Sequence, residues 1–342
     1  MLDKGFALRL GRPAVIQDWD VSAPRSFGNN TALPAPWAAV LDMWIESGSV
    51  LGLTYERLYS PAALARPAAE RVETAGALVG RLEALWVRVE EATAALKHTH
   101  QQQHKREEST ASGNGSAMTL DMILYSGQVS HWASLTLIYR ALPSAPGRPG
   151  TFNGECIDAA RRAMASHEEC MALTAGHLAA QTGYLNWTIL YTPFTPFIVL
   201  FCHVIETSNP LDLARLATFT ATLAPAVATA GASPAIERLR RLCGVLHHVA
   251  ALYVEAKAAA AARRDQDEAS AMAGVGGDFD ACLAQLGLVN PQVLGQGGEG
   301  GGDGCGVEQM VQLGEWFEGN RHVMGLMEEE LFDFDPGMWA EG

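Results

Sequence analysis

Apolar positions along this chain recur at helical spacing. Leu78, Leu82, Leu85, Val89, Ala92 and Leu96 form one stripe, and Leu239, Leu242, Cys243, Leu246, Val249, Ala250 and Tyr253 form a second. Both follow the three-to-four-residue interval of an amphipathic helix. The strict alternation of a half-buried strand is scarce. The first stripe keeps a near-heptad period for only about three heptads, without a clear ladder of interhelical charges, so an antiparallel packing helix is expected. Ser60-Pro61, Asn209-Pro210 and Ser233-Pro234 each place a capping side chain before a proline suited to the first helical turn. Further helices are predicted near 1–10, 36–58, 119–142, 154–182, 194–206, 210–224 and 307–332. The expected fold class is all-α, a multi-helix, bundle-like domain with disordered polar and Gly-rich loops.

Three segments interrupt the helical pattern. Residues 98–117 hold Gln101-Gln102-Gln103 and Gly113-Asn114-Gly115-Ser116 with almost no large apolar side chain. Such a segment cannot offset its ordering entropy, and a disordered loop is predicted. Residues 295–306 are dominated by glycine and read as a flexible linker. They separate a body at 1–294 from a terminal helix and acidic-aromatic tail at 307–342. The run Pro143 to Gly150, with prolines at 143, 146 and 149, reads as a turn between helices.

Composition narrows the function classes. The 342 residues are 48% hydrophobic and 18% charged, enough to bury a sizeable core. The balance of 24 basic against 38 acidic residues gives a net charge of −14, which argues against this segment gripping DNA through its phosphates. Cys156, Cys170, Cys202, Cys243, Cys282 and Cys305 are scattered singly, without zinc-ligand spacing. Buried free thiols in a reducing compartment are expected. Asp3, Lys4 and Arg9 interrupt any opening apolar run, so no secretory signal is read there. The stretch from Cys170 to Ile205 has no Asp, Glu, Lys or Arg. Its His177, Gln181, Asn186 and His203, with Pro193 and Pro196, favour a buried central helix over a membrane span.

Candidate chemistry is sparse. Gly295, Gly297 and Gly300 match a dinucleotide fingerprint only formally, since no strand precedes them. His98, His100 and His104 sit in the glutamine-rich segment without a supporting shell. His247 and His248 diverge by about 100° around a helix and do not share a ligand site easily. No GxSxG elbow occurs, and no enzyme is indicated. One sharper reading concerns Trp187, Tyr191, Phe194 and His203, an aromatic and polar mixture beside two prolines that could line a small-molecule effector pocket. The plainer reading is a Pro-kinked core helix. In the tail, Leu331, Phe332, Phe334 and Trp339 among acidic residues have the composition of an activation segment, or of a solvated helix end.

Three phrases carry a wider resemblance. Leu2-Asp3-Lys4-Gly5-Phe6-Ala7-Leu8-Arg9-Leu10-Gly11-Arg12-Pro13 is followed by Ile16-Gln17-Asp18-Trp19-Asp20. Gly183-Tyr184-Leu185-Asn186-Trp187 leads into the phrase from Tyr191 to Thr207, and Trp316-Phe317-Glu318-Gly319-Asn320 into Met324-Gly325-Leu326-Met327-Glu328. In order and separation these resemble the fungal-specific transcription factor regulatory domain, the middle homology region of fungal binuclear zinc-cluster transcription factors. The resemblance implies a non-catalytic nuclear region that restrains or licenses transcription. It implies no cofactor in this chain, with zinc and DNA contact belonging to an N-terminal module upstream of these residues.

The partners expected are co-regulators or the transcriptional machinery, with a homodimer and a small-molecule effector as further candidates and no membrane. A helical scaffold or inhibitory partner that never touches DNA is the alternative. In the first phrase Gly11 is suited to end a helix and Pro13 to block its continuation, leaving Arg9 and Arg12 to pair with Asp18 or Asp20. Because the phrase opens the chain inside the domain, Phe6, Leu8 and Leu10 are expected to lack the helices that would cover them.

Overall fold

At Ser60-Pro61, Asn209-Pro210 and Ser233-Pro234, where the sequence sets a capping side chain before proline, a helix begins. The structure is a computed structural model describing residues 2–9, 13–23, 26–27, 35–104, 113–142, 150–192, 195–224 and 233–264. Among these residues there are ten α-helices and no strand: α1 (Leu2–Arg9), α2 (Ala35–Thr54), α3 (Pro61–Leu64), α4 (Ala68–His104), α5 (Gly113–Arg140), α6 (Gly154–Leu173), α7 (Leu178–Tyr184), α8 (Thr195–Thr207), α9 (Pro210–Thr222) and α10 (Pro234–Arg264). The Ser60 hydroxyl accepts from the Ala63 N–H to open α3, and the Asn209 carboxamide accepts from the N–H groups of Leu211 and Asp212 to open α9. Asn153 opens α6 the same way, accepting from the Cys156 N–H while its own amide donates to the carbonyls of Tyr139 and Leu142. One side chain thereby starts α6 and satisfies the end of α5.

α8 forms the centre of the core. Phe197, Ile198, Val199, Leu200, Phe201 and Cys202 are all buried because α5, α6, α9 and α10 pack around it. Its apolar character therefore goes into protein contacts, and no described helix is long and apolar enough to cross a membrane. Leu78 and Leu82 of the α4 stripe and Leu239, Cys243 and Ala250 of the α10 stripe are buried in this interior, whereas Leu85 and Val89 of α4 are buried in a second cluster with Val40 and Met43. Cys156, Cys170, Cys202 and Cys243 are buried and form no disulfide, and burial pushes the Cys156 and Cys170 thiols up to about 12. Cys282 and Cys305 lie outside the described residues.

Several expectations need correction. The single helix predicted at 154–182 is two, parted by a turn in which Gly176 takes φ +80°, a conformation glycine adopts without steric cost. Residues Leu185–Ile189 form a π-helical turn after α7, and a new helix starts at Thr195, so the segment around the two prolines breaks rather than kinks. Pro196 sits in the first turn of α8, where its missing N–H costs nothing. Residues 98–104 and 113–117 are helical, which restricts the loop expected at 98–117 to at most residues 105–112, outside the described residues. The linker at 295–306, the helix near 307–332 and the tail with Leu331, Phe332, Phe334 and Trp339 also lie outside them.

α1 is not left uncovered. Ala7 and Leu8 are buried against the body, whereas the Phe6 side chain and Leu10 fall outside the description. Lys4 pairs with Asp18 at 3.3 Å, and its Nζ donates to the Ile16 carbonyl at 2.6 Å. Arg9 and Arg12 lie outside the described side chains. Among the described glycines Gly5 allows the closest approach, since a Cβ there would stand 2.6 Å from the Tyr191 carbonyl oxygen. The first and second family-like phrases are thus in direct contact.

Candidate functional site

The sequence places small residues at Ser126, Gly127 and Ser130 on consecutive turns of α5, with His131 beside them. Side chains this short leave room where neighbouring helices bring large ones. Met43, Trp44 and Ser47 of α2, Leu85 and Trp86 of α4, and Tyr184, Trp187 and Thr188 around the end of α7 close over the α5 face. They enclose a cavity of about 480 Å³, within the range of small-molecule sites.

Much of the wall is buried and the rim is exposed. Met43, Leu85, Tyr184, His131 and Thr188 are buried, whereas Trp44 and Trp187 are 38% and 63% exposed. Trp187 stands on the π turn, an irregularity frequent at functional sites, and stacks on Tyr191 with ring centroids 6.1 Å apart. Gly5 supports this rim from behind through its contact with the Tyr191 carbonyl. Trp86 donates its indole N–H to Glu90 at 2.8 Å, which fixes the ring.

His131 is held between two indoles, stacked on Trp86 at 4.8 Å and edge-on to Trp132 at 4.9 Å. Burial lowers its pKa to about 4, so the ring is neutral at physiological pH. No side-chain hydrogen bond is formed by His131, Ser47 or Thr188 among the described residues, and none of their side-chain polar atoms is an unpaired atom fully closed off from solvent. The lining contains no Asp, Glu, Lys or Arg. The cavity is therefore a largely apolar, aromatic and uncharged space, with His131, Ser47 and Thr188 among the lining polar groups that make no side-chain hydrogen bond.

A hydrogen-bonded triad backs one wall. The Thr222 hydroxyl donates its single proton to the Phe219 carbonyl at 2.6 Å, so it accepts from His167 Nε2 at 2.7 Å. His167 Nδ1 then accepts from the Tyr184 hydroxyl at 2.8 Å. Burial of His167 lowers its pKa to about 3, consistent with this neutral tautomer. Tyr184 is thereby locked in place as cavity wall.

The four residues singled out in the sequence do not form one site. Trp187 lines the cavity, and Tyr191 reaches it only through Trp187. Phe194 lies outside the described residues. His203 belongs elsewhere, 3.6 Å from the fully buried Asp212. There Arg161 donates to both Asp212 oxygens, Nε at 3.0 Å and Nη2 at 2.7 Å, and Arg215 adds a bond at 3.0 Å. Burial opposes the Asp212 charge, but the bonds and charge of Arg161, with His203 and Arg215, outweigh it and hold the carboxyl below its ordinary value. This junction fastens α6, α8 and α9 together.

His177, in the turn before α7, is exposed rather than lining a core. The side chains of His98, His100 and His104 lie outside the description. Comparison with protein-family models, with curated proteins and with solved structures found no match to this chain.

Proposed function

We propose that this chain is the effector-responsive regulatory region of a transcription factor of the fungal zinc-cluster kind, acting in the nucleus through co-regulators and without catalysis of its own. The observation that carries the reading is the uncharged cavity of about 480 Å³ bounded by Trp187, a residue of the second family-like phrase. Two supports accompany it. The first and second phrases touch through Gly5 and Tyr191, so the residues that carry the resemblance also brace the cavity rim. The acidic net charge of −14 suits a region that leaves DNA recognition to another module. A ligand that ties α2, α4, α5 and the π turn together changes how firmly these elements hold, which is how a bound effector alters a regulatory surface.

The test is a fusion of the full 342-residue chain to a heterologous DNA-binding module, read by a reporter gene in fungal cells. Reporter output is expected to differ from that of the module alone and to shift when the cavity is filled by Gly127→Leu. Equal output from the bare module, the wild-type fusion and the filled fusion would remove the regulatory reading.

A further inference from the structure

We infer that the cavity takes an uncharged, flat aromatic molecule of two or three fused rings, lying against its indoles and hydrogen-bonded by His131. The inference rests on the reading of the cavity as an effector site and adds the chemistry of the guest. Size comes first. At about 30 Å³ per water, about 480 Å³ holds on the order of 16 waters, more than a fused two- or three-ring system displaces, so such a molecule fits without filling the space.

Charge comes next. A carboxylate placed inside would meet no opposite charge in the lining, and an unpaired ion removed from water is costly. Glu90 is engaged by the Trp86 N–H, and Arg162 lies over the Trp132 ring at 4.7 Å, so these two charged side chains beside the indoles already have partners.

Shape and polarity complete the selection. Trp44, Trp86 and Trp187 offer flat surfaces, and flat rings pack on them in offset or edge arrangements. Met43 and Met122 adapt to the guest's outline and make favourable sulfur-aromatic contacts. A neutral imidazole presents one donor and one acceptor, so His131 can bond a hydroxyl or a carbonyl on the guest. Gly127 provides a means to close the space. A Cβ there would meet Met43 Cε at 3.5 Å and Trp86 at 3.7 Å, ordinary contacts, so a longer side chain starts without strain and extends into the cavity.

The experiment titrates the full chain with 2-naphthol, naphthalene and 2-naphthoate, following fluorescence, for wild type, Gly127→Leu and His131→Phe. Wild type is expected to bind 2-naphthol at one saturable site, about 3- to 10-fold tighter than naphthalene, the gain of one net hydrogen bond. It should bind 2-naphthoate at least about 100-fold more weakly than 2-naphthol, the penalty for an unpaired buried charge. Gly127→Leu is expected to abolish binding while the helical circular dichroism and melting temperature persist. His131→Phe keeps the ring stack, so it should erase the advantage of 2-naphthol and leave naphthalene unchanged.

Equal binding of 2-naphthoate, unaltered binding by Gly127→Leu, or a retained 2-naphthol advantage in His131→Phe would each overturn the inference, as would wild type binding none of the three. Absent probe binding beside an intact reporter response removes the ligand class alone. Intact probe binding beside a silent reporter removes the regulatory reading alone.

Discussion

Around Asp212 both carboxylate oxygens accept bonds from arginines, whereas in the cavity His131, Ser47 and Thr188 make no side-chain hydrogen bond among the described residues. Both regions are buried between helices of the same body, and both contain a histidine near aromatic or charged neighbours. They differ in whether the polar groups are already satisfied. A saturated cluster stabilises the fold, since breaking it strands a buried charge. An unsaturated, uncharged one retains bonding capacity for a guest. His203 and Trp187 looked alike as pocket candidates in the sequence, and the structure assigns them to opposite sides of this contrast.

The largest expected effect breaks the saturated side. Asp212→Ala removes the carboxylate that gathers Arg161, Arg215 and His203, and should lower stability by about 2–4 kcal/mol in urea unfolding, the lower part of that range reflecting solvent access of the arginines. A loss below the error of the measurement would show that the junction is not a fastening point. The cavity should tolerate far larger surgery at Gly127 without comparable loss.

Next comes the rim. Gly5→Ala puts a Cβ at 2.6 Å from the Tyr191 carbonyl, so the backbone must move, at about 1–3 kcal/mol. It should also shift the emission of Trp187, which stacks on Tyr191. An unchanged melting curve and spectrum would separate α1 from the cavity.

Acidification probes the buried histidines. Folded His131 and His167 have lowered pKa values, about 4 and about 3, against 6.5 for the exposed ring. Between pH 6.5 and these values the unfolded chain binds protons that the folded chain refuses, so stability falls as pH drops through that window. The depressed Asp212 adds a loss only at lower pH, as its folded carboxyl finally protonates. His131→Phe should reduce the slope between pH 6.5 and about 4, with the His167 contribution remaining. A wild-type profile that is flat there would contradict the burial of both rings as neutral groups.

The smallest effect belongs to the surface. Arg81 and Glu46 form a 2.6 Å pair between α4 and α2, yet both side chains are about two-fifths exposed. Arg81→Ala should cost about 0–1 kcal/mol. A cost matching that of Asp212→Ala would mean that burial is not what distinguishes the two ion pairs.

The contrast also explains what the sequence made legible. The α4 and α10 stripes and the Ser60 and Asn209 caps were readable because each depends on residues within a turn or two of one another. The split of α6 from α7 was less so, since only Gly176 marks it in a stretch otherwise compatible with one helix. Trp187 was found through its proline-rich, aromatic surroundings. Gly127 and His131 were missed because the cavity joins α2, α4, α5 and the end of α7, elements distant in sequence. The available local signal was the small face of Ser126, Gly127 and Ser130 beside a histidine flanked by Trp132. His203 misled because its partner, Asp212, becomes a neighbour only when α8 and α9 pack.

The most direct measurement is a crystal structure of the full chain grown with 2-naphthol. The account predicts difference density for the ring system between Trp86 and Trp187, with its hydroxyl within hydrogen-bond reach of His131. Density at the Arg161–Asp212 junction, or an empty cavity at saturating 2-naphthol, would contradict it.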